Sequence, residues 1–350
     1  MDLPGLWFCL IAVLWLGYFV LEGFDFGVGM LAGALSRDDT DRRVVVNTIG
    51  PVWDGNEVWL VVAGGATFAA FPEWYATLFS GFYLPLLAIL VALIVRGLAF
   101  EYRGKGDTDR WRRGWDRALF WGSAVPALLW GVAFANLVDG VPLDADHEYT
   151  GGVVDLLGPY ALLGGATTLL LFALHGAVFV ALKTDGDVRT RARRMGLRLA
   201  LPTILVAGSF LAWTQAASGS PWSAAAAVTA ALGLVAAFVS LRSAREGRAF
   251  AATALTIGAA VVMLFLALWP DVMPADIAAN SLTVRNASST DYTLEVMSWV
   301  ALGGLPVVLL YQGWTYWVFR QRLTRSHISP APVPADAVPP QRSGTTAARR

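Results

Sequence analysis

Nine stretches of mostly apolar residues dominate this sequence, near 6–32, 45–71, 75–101, 115–137, 155–182, 196–217, 221–241, 249–269 and 295–319. A helix needs about 20 such residues to cross a bilayer. The expected fold is therefore an all-α polytopic membrane protein with nine transmembrane helices. Composition agrees, with 56% of the 350 residues hydrophobic and only 15% charged. A soluble domain carries about 25% charge. Mean hydropathy is +0.55. The first stretch is too long for a signal-peptide core, and Met1 to Leu6 has no basic region, so it is expected to remain as a helix.

Charge gives an independent test, because cytoplasmic loops collect Lys and Arg. Loop 1–2 holds Arg37, Arg42 and Arg43. Loop 3–4 holds Arg103, Lys105, Arg110, Arg112, Arg113 and Arg117. Loop 5–6 holds Lys183, Arg189, Arg191, Arg193 and Arg194, and loop 7–8 holds Arg242, Arg245 and Arg248. The C-terminal arginines fall on the same face, and Arg96 and Arg198 sit at helix ends there. Of the 26 Lys and Arg residues only Arg285 falls on the other side. Adding or removing one span would scramble this alternation. The N-terminus is expected outside and the C-terminus in the cytoplasm of a bacterial inner membrane.

A weak internal repeat runs through the chain. Leu21-Glu22-Gly23-Phe24-Asp25-Phe26 resembles Leu174-His175-Gly176-Ala177-Val178-Phe179. Arg42-Arg43 and Arg193-Arg194 precede Pro51 and Pro202 at the same interval. A duplicated four-helix unit plus a ninth helix accounts for both, with repeats near 6–137 and 155–269 and the last helix near 295–319. Chance similarity among apolar helices is the competing explanation. The transmembrane domain spans 1–325, and 326–350, rich in Pro, Ala and Arg, reads as a disordered cytoplasmic tail.

Charged groups inside a bilayer are costly and mark function by default. Glu22 and Asp25 share one face of helix 1, and Asp54 and Glu57 have the same i, i+3 spacing in helix 2. Counting at 1.5 Å per residue puts Asp25 and Asp54 roughly 10 and 15 Å from the cytoplasmic surface. Four carboxyls should thus gather in the inner half of one helical hairpin. They could relay protons through water, or be neutralised by protonation, by Arg96 or by nearby indoles. Gly50-Pro51 could loosen helix 2 just before Asp54 and free carbonyls for water. Gly23, Gly27, Gly29 and Gly33, with Gly64-Gly65, read as close-packing positions.

Histidine limits the cofactors. His147 lies in an outer loop and His327 in the tail, so only His175 is inside a helix. A bis-His haem site within this chain is excluded. His175 reads as a polar core residue or proton carrier rather than a ligand. The single cysteine, Cys9, excludes an internal disulfide and a Cys-pair metal site, and no nucleotide or metalloprotease motif is present. Net charge of +0 points away from nucleic acid. Trp74, Trp222 and Trp269 fit an interfacial belt, whereas Trp53 and Trp59 lie deeper beside the acids.

The segments Gly23-Phe24-Asp25-Phe26-Gly27 and Gly50-Pro51-Val52-Trp53-Asp54-Gly55-Asn56-Glu57-Val58-Trp59-Leu60 resemble subunit II of the cytochrome bd quinol oxidases. The run from Ala63 to Pro72, then Tyr75-Ala76-Thr77 and Gly81 to Pro85, continues the likeness. It is densest in the first hundred residues and covers nearly all but the tail. The resemblance implies two four-helix bundles plus one helix, a pseudo-symmetric heterodimer with a haem-bearing subunit I, and often a small single-helix subunit. It implies a complex that oxidises quinol and reduces dioxygen to water, with haems b and d on the partner and no catalytic residue or metal here. Asp25 and Asp54 would line a cytoplasmic proton route, with Glu57 and Glu22 as further candidates. Trp59 would sit near an oxygen channel, beside Trp53, and a quinone or lipid would fill a groove. Menaquinone and ubiquinone are both compatible. A proton-coupled secondary transporter and a purely structural partner are the competing classes.

Overall fold

The computed structural model describes residues 2–328. Its helices are α1 (Leu3–Leu35), α2 (Asp39–Asn47), α3 (Trp53–Ala70), α4 (Pro72–Gly81), α5 (Tyr83–Tyr102), α6 (Asp109–Asp139), α7 (Pro159–Lys183), α8 (Gly186–Ser218), α9 (Pro221–Arg242), α10 (Glu246–Leu268) and α11 (Asp291–Val318). Among the described residues, eight helices are long and apolar enough to cross a membrane: α1 and α5 to α11. The remaining expected span, 45–71, is broken. Helix α2 ends at Asn47, and the chain turns through Gly50-Pro51 before α3 begins. Proline lacks the N–H that would carry the helix through. Helix α3 has 18 residues and contains Asp54, Asn56 and Glu57 in its first turns, which lower its hydropathy.

Span 75–101 is likewise two helices. Pro72 occupies the first turn of α4, where its missing N–H costs nothing, and Phe82 separates α4 from α5. Elsewhere starts are set by side-chain caps. Thr108 accepts from Trp111 N at 3.2 Å before α6. Ser220 and Ser223 form a reciprocal capping box at α9, with Pro221 at its first position.

Helix α1 is central and packs against α3, α6, α7 and α10. Sequential neighbours α5–α6, α6–α7, α7–α8 and α9–α10 form the other main contacts. A β-carbon on Gly27 would lie 2.0 Å from the Phe172 carbonyl oxygen and 2.7 Å from Gly176 Cα, so α1 and α7 cross backbone to backbone. Helix α11 touches α1 and α3 and buries only Leu294 of its 28 residues.

The two ends differ in charge. At one end, Arg37 pairs with Asp187, Arg103 with Asp39 and Asp116, and Arg189 with Glu246. These pairs tie together the loops expected on the basic face. The segment after α11 joins them: Leu323 bridges to Thr184, and Arg325 pairs with Asp38 and Asp41. Ile328 is buried in the same cluster as Leu31 and Val188. Of the expected tail, 326–328 belongs to this strap and 329–350 lies outside the described residues. At the opposite end, β1 (Asp271–Met273) pairs with β2 (Leu282–Thr283), and Asp2 meets Arg285.

Candidate functional site

The buried charges converge where α1, α3, α5 and α11 meet. Glu22 and Asp25 of α1 are both fully buried, as is Arg96 of α5. Arg96 Nη1 is paired with Glu22 Oε1. The guanidinium also lies 4.9 Å from the Phe26 ring centroid and 5.5 Å from that of Phe100, a cation–π environment. Gly122 of α6 leaves room for this side chain, since a β-carbon there would come within 2.7 Å of Arg96 Cβ.

Asp25 has a different partner. Asn56 Nδ2 donates to Asp25 Oδ2 at 2.7 Å. Asn56 Oδ1 in turn accepts from Gln312 Nε2 at 3.0 Å and from Tyr316 OH at 2.7 Å. The amide orientation follows from chemistry, because a carboxylate needs the NH₂ side and two donors need the carbonyl side. Gln312 and Tyr316 stand one turn apart on α11, so a single helix face closes the node. Glu22 Oε2 and Asp25 Oδ1 accept nothing from the described protein atoms, and Arg96 Nε and Nη2 donate to none.

The other expected residues are distributed around this node. Asp54 is exposed and Glu57 half-buried. Residues two apart on a helix point about 200° away from each other, so with Asn56 turned inward Asp54 must face outward. The four carboxyls therefore differ in surroundings, although Glu57 lies within electrostatic reach of Glu22, Asp25 and Arg96, and Asp54 within reach of Glu57. Glu22 and Asp25 lie inside, Glu57 flanks, and Asp54 opens to the surface. Trp53 stacks on Phe100 at 4.7 Å. The Trp59 ring covers Gly17, where a β-carbon would lie 2.2 Å from it.

His175 lies elsewhere, between α1, α7 and α10. Its Nδ1 is 2.6 Å from Thr253 Oγ1 and its Nε2 3.1 Å from the Val20 carbonyl. A carbonyl can only accept, so Nε2 carries the proton. Both ring nitrogens are engaged, which leaves neither free as a metal ligand, and the ring stacks on Phe250 at 4.7 Å. Among the described residues no group of three His, Cys, Asp or Glu side chains could hold a metal.

Sequence reasoning missed Asn56, Gln312 and Tyr316. Asn56 stands between the two acids that drew attention, and its own polarity in an apolar helix was the available signal. Gln312 and Tyr316 show the i, i+4 spacing of one face, but nothing in α11 said where that face points.

A broad apolar groove of about 550 Å³ opens between α1, α3, α4, α5 and α6, starting about one helical turn from Asn56 and Arg96 and running away from them. Trp15, Leu60, Phe68, Tyr83, Leu90 and Trp130 are among the residues that line it.

An all-helical, multi-pass membrane protein with a charged node sealed between its helices is the class that this fold and interior define. The family model described as cytochrome bd terminal oxidase subunit II matches residues 3–319. The chain belongs to that family, and so to the quinol oxidases of bacterial electron transport. It is 44% identical over 336 residues to cytochrome bd ubiquinol oxidase subunit 2 of Bacillus subtilis, covering 94% of this chain and 98% of that one. It is 37% identical over 367 residues to cytochrome bd-I ubiquinol oxidase subunit 2 of Escherichia coli, covering 92% and 96%. The fold is that of a chain in the structure of bd oxidase from Geobacillus thermodenitrificans, with a TM-score of 0.76 at 18% identity over 91% of this chain and 99% of that one. Subunit naming in the family implies a complex with another chain.

Proposed function

We propose that the chain is the haem-free subunit II of a quinol:dioxygen oxidoreductase that contributes to protonmotive force, and that its buried node is part of the cytoplasmic proton route. The carrying observation is the unspent hydrogen-bonding capacity of Glu22 Oε2 and Asp25 Oδ1 inside a membrane helix bundle. A polar atom in hydrocarbon costs several kcal/mol unless something satisfies it. Water or a proton shared between these two neighbouring carboxyls can satisfy them, and carboxyls linked in either way can pass protons. Asp54, on the outward face of α3, would continue the route toward the partner subunit, with Glu57 between. Trp59 and Trp53 would border oxygen access.

The finer architecture is part of the same reading. Helix α3 would be the ninth span despite its polar start. The spans would form two four-helix bundles plus α11, with the basic ends cytoplasmic and the N-terminus outside. Haems b and d would reside on subunit I, in keeping with the engaged nitrogens of His175. A small single-helix subunit would complete the complex, and a quinone or lipid would fill the groove between α3 and α5. Family membership does not favour the secondary-transporter alternative.

The test is Asp25→Asn in the assembled complex. Oxidase turnover should fall at least tenfold while the haem spectrum is retained, as loss of one proton-transfer group costs about 10²–10⁴ in favourable cases. Full turnover with full haem content in both Asp25→Asn and Asp54→Asn would remove the proton role. A Soret band from this chain expressed alone would overturn the haem-free assignment.

A further inference from the structure

The Asn56 amide stands between Asp25 of α1 and a helix that is only lightly held. Within α11 only Leu294 is buried, and Gln312 and Tyr316 are half-buried. Both nevertheless reach the interior, where their donors converge on Asn56 Oδ1 at 3.0 and 2.7 Å. Asn56 itself is fully buried, and its Nδ2 donates to Asp25 Oδ2 at 2.7 Å. Three hydrogen bonds thus run in one sense, from α11 through α3 to α1.

That sense decides where a proton can sit on Asp25. An ionised carboxylate only accepts, so it requires the NH₂ end of Asn56. A protonated carboxyl accepts best at its carbonyl oxygen. The amide therefore makes Oδ2 the carbonyl and leaves Oδ1 for the proton. Oδ1 accepts nothing from the described protein atoms, and the neighbouring carboxyl is Glu22, one turn away on α1. Arg96 of α5 pairs with Glu22, and Glu57 of α3 is in electrostatic reach. One buried cation balances one of the two buried carboxyls, so a single proton held between Asp25 and Glu22 makes that trio neutral.

The opposite sense is hard to reach while α11 is seated. Reversing Asn56 would put its carbonyl against Oδ2 and let that oxygen hold the proton. Asn56 Nδ2 would then face Gln312 Nε2, two donors against each other, so Gln312 would have to reverse as well. With the α11 donors in place the change takes two amides together; without them it takes one.

We propose that Gln312 and Tyr316 are positioning residues that hold Asn56 as a donor to Asp25, so that Asp25 carries its proton on Oδ1, toward Glu22, and not toward α11. The effect on turnover rests on the proton reading above; the placement of the proton does not.

The test compares the double variant Gln312→Leu/Tyr316→Phe with Asn56→Leu, each in the assembled complex, and either suffices if the other does not assemble. The C=O band of protonated Asp25 is the infrared band that disappears in Asp25→Asn. It should move to higher wavenumber in Asn56→Leu, where the carbonyl loses its donor, and in the double variant, where Asn56 is free to reverse. Each single change on α11 keeps one donor and should lower turnover by less than about twofold, whereas the double should lower it about fivefold, the contribution of about one neutral hydrogen bond. The KM for quinol and the haem spectrum should be retained, and the solvent isotope effect on turnover should rise. An absent Asp25 band, or one that stays in place in the assembled variants, overturns the proposal whatever the turnover. A band that moves while turnover and isotope effect stay unchanged overturns the positioning role, provided that Asp25→Asn slows the enzyme. If Asp25→Asn does not slow it, the proton reading fails and the placement of the proton stands.

Discussion

Arg96 of α5 and Glu22 of α1 are both fully buried and paired. Replacing one partner of such a pair strands the other, at about 3–5 kcal/mol, whereas replacing both with apolar groups is often close to neutral. The two single changes should differ here. Asp25 also lies within electrostatic reach of Arg96, so Glu22→Leu leaves the cation one counter-charge and should cost about 2 kcal/mol. Arg96→Leu leaves two carboxyls with no cation and also loses the ring contacts with Phe26 and Phe100, so about 4 kcal/mol is expected. Independent sites would then give about 6 kcal/mol for the double variant. A coupled pair should give about 3 kcal/mol, the remainder being lost packing and the Asp25 carboxyl still left without its cation. The assay is reversible unfolding of the assembled complex in lipid bicelles, titrated with SDS and followed by helical circular dichroism. Additivity to within about 0.5 kcal/mol would refute the buried pair.

Two further outcomes follow from contacts elsewhere. Gly27→Ala drives a methyl into the α7 backbone and should destabilise by about 1–3 kcal/mol, whereas Gly114→Ala, with no atom within 4 Å, should be neutral or mildly stabilising in the same unfolding assay. Arg325→Ala should release the strap after α11, read as faster amide exchange over 319–328 by up to about fivefold, the reach of an exposed pair. The Arg325 hydrogen bond holds the Asp38 carboxyl below its ordinary range. Because the folded value is the lower one, this contribution is complete above the unfolded aspartate pKa of about 3.9 and vanishes as pH falls through the folded value. Protection of the strap amides, each rate being referred to the intrinsic rate at that pH, should therefore be flat near neutrality and fall only in acid; a loss of protection near neutral pH would sink the assignment.

Much of this architecture was readable before any coordinates. Hydropathy located the helices and the basic loops predicted which ends meet, as the Arg37–Asp187 and Arg103–Asp39 pairs display. Gly50-Pro51 was legible as a loosening within span 45–71, whereas the chain breaks there into α2 and α3. What the sequence could not supply was facing. A membrane helix is apolar on its lipid side and its protein side alike, so periodicity carries little orientation. The pair Asp54 and Glu57 looked inward by analogy with Glu22 and Asp25, but Asn56 takes the inward position on α3. Arg96 was recognisable as a partner for the acids; that it chooses Glu22 and leaves Asp25 to an amide depends on how α3 and α11 are rotated. The groove arises from where helices fail to touch, and no single stretch of sequence encodes that.

Helix α11 has a consequence for how the protein is made. It is made after the other described helices, and among the described residues it is held by a shallow seat on α1 and α3, the Trp7 indole at Leu294 and Ser298, an amide at Asn56 and a short clasp at its end. Until a neighbour covers its remaining sides, Trp299, Tyr311 and Trp314 stand bare to lipid. An orphaned copy would thus carry a loosely seated terminal helix, the kind of feature by which membrane quality control tells unassembled subunits from finished ones.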